Sequence, residues 1–472
     1  MSQNDDLVVA SAVEQARAVR NGDVSCVELL ESAVGQYEKH NPALNAVVVE
    51  RIDDARERAK RLDGMPAERR GPLHGVPMTI KDVIDWAGTP STWGDPAVAD
   101  YHPNRNAVLL DRLLDAGAVV WGKTNVPFRL EDWQSYNTIY GRTNNPWDLE
   151  RTPGGSSGGS TASVATGMAT LEIGSDIGGS IRFPAHYCGV FGHKPTFGAV
   201  PSRGHNYPGQ DGRVDINVCG PVARSADDLA LAIDVIADRR LAPDPRRHAR
   251  QFTVGVMLDN PIGEQDDELT GLLEGAVAAL TAAGMTVARP PDTIDHIAAH
   301  DLYMLLVRAA TAATDAGSDD AEHAVRYNMG DRDYRARAGK GFSLSHVEWI
   351  ELHNQRQRLR DQWADYFSIV DVLLCPPSAS VAPHHETGTT FGEDQSIVVN
   401  GRPVSIVDQW LWAGIASGPY LPASVAPVGL TTDGLPAGLQ IMGPEGGDCT
   451  TIAFASMMED TLGGFVSPPM IR

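Results

Sequence analysis

Residues 151–195, RTPGGSSGGSTASVATGMATLEIGSDIGGSIRFPAHYCGVFGHKP, constrain the fold more than any other stretch of this chain. Two glycine–serine clusters, Gly154–Ser160 and Gly178–Ser180, flank a run of small and apolar residues. Within it Ala162, Ala165 and Ala169 recur at helical spacing, which predicts a buried helix over Thr161–Ile173 between two loops. Glycine lets the backbone turn tightly and present its N–H groups. Such a loop–helix–loop unit can bring Ser156 and Ser180 to one place. What the two serines lack within the stretch is a base.

A candidate base lies upstream, in GPLHGVPMTIKDVIDW (71–86). Val76–Ile80 is a short, mostly apolar run with Pro77 near its start, which reads as a buried strand. Lys81 stands at its end, beside Met78, Ile80 and Val83. A lysine there either snorkels to water or is buried, where desolvation disfavours its charge. The residues alone leave both open. His74 reads as a hydrogen-bonded structural histidine.

Elsewhere helical patterns alternate with short apolar runs. Helices are predicted at Leu7–Val19, Val24–Glu38 (capped by Asp23 or Ser25), Asn45–Lys60, Val108–Ala116, Asp227–Ala237, Glu268–Ala283, Ala298–Thr314 and His346–Phe367. Strands are predicted at Ala118–Val120, Phe252–Met257, Met285–Ala288 and Val370–Leu374, with two more around a turn at Thr432–Leu435. The alternation argues for an α/β sheet rather than a helical bundle. Domains of about 100–200 residues would allow two or three in 472. No linker cuts the chain, and the polar Asp238–Arg250 reads as a surface connection.

A net charge of −22 disfavours nucleic acid and anionic membrane surfaces as partners. Five scattered cysteines (Cys26, Cys188, Cys219, Cys375, Cys449) suggest neither a disulfide framework nor a zinc site. The N-terminal MSQNDDLVVASAVEQ lacks the features of a signal peptide. No run of about 20 apolar residues predicts a membrane helix. A cytoplasmic location is expected.

Three readings compete for the serine loops. A phosphate-binding loop needs GxxxxGK[ST], and no lysine follows these glycines. A nucleophile elbow fits Gly154–Gly158 literally, but it needs a strand before the serine, and NNPWDLERTP is no strand. The third combines Lys81, Ser156 and Ser180. Here the chain resembles the amidase signature hydrolases: LHGVPMTIKD around Lys81, TPGGSSGGS around Ser156, GSDIGGSIRFPAHYCGVFGHKPT around Ser180, then GPVARSADDLA and LPAGLQIMGP. These motifs stand in the family's order, and the 24 residues between Ser156 and Ser180 are also the family's spacing.

The resemblance implies an α/β fold with a mixed, twisted central sheet and helices on both faces. It implies one domain over 1–472, with a signature core at about 71–225 and a variable, substrate-shaping region at about 239–420. It assigns Ser180 as nucleophile, Ser156 as the bridge, with the Gly155–Ser156 peptide cis, and Lys81 as base. Backbone N–H groups of Ile177, Gly178, Gly179 and Ser180 would form the oxyanion hole, supported by Asp176 and Arg182. Ser–Lys arrangements are variants of the serine triad, and buried lysine can serve as the base once neutral. The implied activity is hydrolysis of a small-molecule amide through an acyl-enzyme, with no cofactor and no metal. Aromatic residues Phe128, Trp133, Tyr136, Trp410 and Trp412 are candidates for the substrate pocket. Alternatives are an ester or carbamate hydrolase, a glutamine-hydrolysing amidotransferase subunit, or a non-catalytic binding protein. A homodimer is compatible with this size. The sequence departs from the family at Ser175, Ile177 and His193. Cys188 between His186 and His193 admits a Cys–His reading, although the family places this cysteine as structure.

Overall fold

The computed structural model describes residues 9–471 apart from 239, 316, 318, 389–391 and 393. The start of the predicted Leu7–Val19 helix, at 7–8, and residue 239 of the Asp238–Arg250 connection lie outside them. Eleven strands form one sheet: β1 (Val47–Glu50), β2 (Pro77–Lys81), β3 (Val119–Thr124), β4 (Leu171–Asp176), β5 (Phe191–Lys194), β6 (Val218–Ala223), β7 (Thr253–Val256), β8 (Thr286–Val287), β9 (Val372–Cys375), β10 (Ala423–Leu430) and β11 (Pro436–Met442). Their order is β1-β3-β2-β4-β6-β5-β10-β11-β9-β7-β8. The sheet is mixed, as the resemblance implies. β2 lies parallel between β3 and β4, and β7 parallel between β8 and β9. The remaining pairings are antiparallel. Strands and helices together form an α/β fold, and no helix among the described residues is long and apolar enough to cross a membrane.

Parallel pairing of β2 with β4 brings their carboxyl ends to one edge, where open α/β sheets bind ligands. Lys81 ends β2 and Asp176 ends β4. Every residue of both strands is buried. Buried β-branched residues suit such central strands.

Two predicted elements fold differently. Asn45–Lys60 is not one helix. The helix Cys26–Leu44, capped by Ser25 in a capping box with Glu28, stops at Asn45, whose φ of 52° is left-handed. Val47–Glu50 then pairs with β3, and a helix resumes at Ile52–Asp63. Likewise, the helix predicted over Thr161–Ile173 covers only Gly158–Ala165. The chain turns at Thr166–Gly167, and Leu171–Asp176 becomes the central strand β4. The alanine spacing was compatible with helix, but the sheet claims Leu171 and Ile173 as neighbours of Met78 and Ile80.

Trp121 on β3 anchors the N-terminal helices to the sheet. It is fully buried, donates its indole N–H to the Met168 carbonyl at 3.2 Å, and meets Tyr37 edge-on at 5.3 Å. Trp121→Ala should destabilise the fold by about 3–5 kcal/mol, read as a lowered thermal midpoint. An unchanged midpoint would mean the helices dock without it.

Candidate active site

Lys81 is fully buried, so it does not snorkel. Its Nζ donates to three hydroxyls: Ser156 Oγ at 2.6 Å, Ser157 Oγ at 2.9 Å and Ser175 Oγ at 3.0 Å. No carboxylate among the described residues forms an ion pair with it. Burial therefore dominates and lowers its pKa to about 7, against the opposing fields of Cys219, Asp176 and Glu172. A lysine so placed can exchange a proton with Ser156 near neutral pH.

The Ser156 turn and the Ser180 loop are stitched together, because the Ser157 N–H donates to the Ser180 carbonyl at 3.2 Å. The Gly155–Ser156 peptide is cis. A Cβ at position 155 would lie 2.3 Å from the Asp132 carbonyl oxygen, so only glycine fits there. The Ser180 loop is in turn held by Asp176, whose carboxylate accepts from Gly179 N–H at 2.9 Å and Ile181 N–H at 3.0 Å. Arg182 adds Nε at 3.1 Å and Nη2 at 2.9 Å. Burial alone would raise the pKa of Asp176, but the charge and hydrogen bonds of Arg182 outweigh it and hold the carboxyl at about 2.

Ser180 opens into a cleft bordered by Ile177, Gly178, Trp133 and Trp410. The carbonyl of Ile177 accepts from Tyr303 Oη at 3.0 Å, and that of Gly178 from Trp133 Nε1 at 2.9 Å. In a trans peptide the N–H points opposite its carbonyl. Tyr303 thus orients the Gly178 N–H, while Trp133 orients the Gly179 N–H. Gly179 departs from expectation: it does not border the cleft, and its N–H is taken by Asp176. A Cβ on Gly178 would lie 2.3 Å from the Trp410 ring, so the loop and the indole are packed against each other.

The five aromatic candidates separate. Trp133 and Trp410 line the cleft, with ring centroids 5.1 Å apart. Phe128 and Tyr136 are exposed and do not line it. Trp412 is buried on the other face of its helix, among Leu411 and Cys375. Cys188 is buried against Thr161, its thiol pushed up to about 12 by burial, which leaves no thiolate for a Cys–His mechanism. His193 bridges Ser424 and Asp448 inside the protein, and His74 bonds the Leu62 carbonyl.

Residues 28–452 match the Amidase family model. The chain belongs to the amidase signature family. It is 28% identical to human fatty-acid amide hydrolase 2, over 98% of this chain and 91% of that protein. It is 31% identical to a glutamyl-tRNA(Gln) amidotransferase subunit of Anaeromyxobacter dehalogenans, over 94% and 95%. The structure of a bacterial aryl acylamidase of the same family superposes with a TM-score of 0.79 at 27% identity, covering 96% of each chain. The protein is therefore an amidase, a hydrolase of carbon–nitrogen bonds.

Within this amidase fold, sequence reasoning assigned no role to three residues around Lys81. Ser157 and Ser175 share Lys81 with Ser156. Glu172 lies beneath them on β4, bonded to Thr79 and to Thr124 Oγ1 at 3.0 Å, and burial raises its pKa to about 8. The available signal was an acid inside the apolar run LEIGSD. Among the described residues no cluster of three His, Cys, Asp or Glu could hold a metal ion. Removing Asp176 would strand the buried Arg182 charge and free two loop N–H groups. Asp176→Ala should therefore cost about 3–5 kcal/mol, measured by chemical denaturation. A midpoint equal to wild type would show that the pair does not hold the loop.

Proposed function

We propose that this amidase cleaves a small-molecule amide through a Ser–Ser–Lys relay and an acyl-enzyme on Ser180. The contact that carries the reading is Lys81 Nζ on Ser156 Oγ at 2.6 Å, in full burial. Neutral Lys81 accepts the Ser156 proton as Ser156 accepts that of Ser180. Ser180 Oγ then attacks the amide carbonyl. Backbone N–H groups of Ile177, Gly178 and Ser180, Gly178 foremost, face the developing oxyanion. The proton returns through Ser156 to the leaving nitrogen, and the C–N bond breaks. Water attacks the Ser180 ester by the same relay in reverse, releasing the acid. The signature core holds these residues and much of the cleft lining, including Trp133, and the 239–420 region adds the rest, including Trp410. Aromatic walls favour an apolar or aryl portion in the substrate, consistent with aryl acylamidase and fatty-acid amide hydrolase among the relatives.

The match to a glutamyl-tRNA(Gln) amidotransferase supports a second reading, glutamine hydrolysis for a partner chain. Glutaminase activity, and copurification with a second protein, would favour it over a free-standing amidase.

Fluorophosphonate labelling mapped by peptide mass spectrometry should give one adduct on Ser180, absent in Ser180→Ala. An adduct on Ser156 would overturn the assignment of roles.

Because the base must be neutral, kcat/KM should rise with pH through about 7, where Lys81 loses its proton, and level off above it. Lys81→Met should abolish both the turnover and this limb. A flat profile with rate-limiting chemistry would remove Lys81 from the role. Tyr303→Phe should lower kcat by up to about tenfold with KM little changed, as expected for loss of one neutral hydrogen bond that acts through Gly178. An equal rise in KM instead would make Tyr303 a wall rather than a brace.

A further inference from the structure

Three residues lining the cleft beside Ser180 carry buried hydrogen-bond donors without acceptors. The helix His296–Asp315 forms part of its wall and presents Arg308 and Thr311, one turn apart on one face. Arg308 is buried, at 4% exposure. Its Nη2 donates to the Tyr334 hydroxyl, and its Nε meets no acceptor. The guanidinium lies 4.9 Å from the Trp410 ring and 5.0 Å from Tyr334, yet no carboxylate among the described residues pairs with it. Thr311 Oγ1 and Trp93 Nε1, which also belong to cleft residues, are buried without partners.

The other charged groups bordering the cleft are engaged. Arg129 is paired with Asp95 at 2.6 Å. Asp132 accepts from Gln134 N–H at 3.1 Å and Gln395 Nε2 at 3.3 Å. Glu131 has a partner of its own. What remains unmatched is one cation and its neighbouring donors. Arginine cannot shed its proton to escape burial, and a buried charge without a counter-ion is unfavourable. Cation–π contact with Trp410 offsets part of this but supplies no acceptor.

We propose that the amide substrate carries a carboxylate, which Arg308 binds with Thr311 while the scissile carbonyl sits at Ser180. This rests on the amide-hydrolase reading above. The substrate class is then an N-acyl compound with an apolar stretch between its amide and an acid group.

The test compares glutaryl para-nitroanilide with the neutral hexanoyl para-nitroanilide, which is similar in length. Wild type should favour the acid by about tenfold or more in kcat/KM, the discrimination expected of a site built to hydrogen-bond its ligand. Arg308→Met should bring the ratio near one, Arg308→Lys should retain part of it, and Thr311→Val should lower it. Fluorophosphonate labelling of Ser180 on every variant reports an intact site. Amide turnover with no preference for the acid, or a ratio unchanged in a labelled Arg308→Met, overturns the proposal and leaves the amidase reading standing. If neither anilide turns over, protection of Ser180 from labelling decides. Protection by the glutaryl compound alone supports the proposal, and equal protection overturns it. Failure of Ser180 to label in wild type overturns the mechanism and the proposal with it.

Discussion

The structure depends on an amine buried among hydroxyls instead of carboxylates. A lysine with an acidic partner keeps its proton, whereas one with only serine partners is neutral over part of the accessible pH range. Lys81 has three such partners. Supplying them takes three separate pieces of backbone: the end of β2 for the lysine, the Gly–Ser turn for Ser156 and Ser157, and the end of β4 for Ser175. Parallel β2 and β4 are what let two of those pieces end side by side.

The nearby ion pair solves the opposite problem. Asp176 and Arg182 are as buried as Lys81, but every N–H of the guanidinium is satisfied: two by Asp176, and the rest by Ser417, the Ala413 carbonyl and Gln440. The carboxylate is correspondingly saturated by two backbone N–H groups and the arginine. With its own cation at hand, Asp176 acts on Lys81 only as a field, and burial remains the stronger influence on the lysine. One carboxylate can therefore shape the Ser180 loop without holding a proton on Lys81.

Much of this was legible in the sequence. Long helical patterns such as His346–Phe367 match their predicted bounds. Lys81, Ser156 and Ser175–Ser180 converge because their motifs are strung on neighbouring strands and the turns after them. The misreadings have physical causes. Apolar residues in a short run suit a helix end and a central strand alike, so Leu171–Ile173, the start of β4, read as the end of the Thr161–Ile173 helix. Aromatic content does not say which way a ring faces: Trp410 and Trp412 are two residues apart on one helix, so only one points into the cleft. Arg308 carried no signal, because an arginine in a helical pattern normally marks the solvated face, and only packing reveals it as buried.

The division between chemistry and recognition follows from the same packing. Lys81, Ser156 and Ser180 sit on the sheet and its immediate turns, where Gly155 and Gly178 leave no room for a Cβ and displacement of any piece disturbs the others. One part of the cleft wall comes from elsewhere: the His296–Asp315 helix, and Trp410 at the start of the Trp410–Ser417 helix. These touch the nucleophile loop at few points, notably Tyr303 on the Ile177 carbonyl and Trp410 against Gly178. Side chains further along the same helix, at Arg308 and Thr311, can then differ without moving the brace at Tyr303. On the proposed mechanism, a single helix would hold the Ser180 loop at one residue and read the substrate at others, which would let specificity change while the relay stays in place.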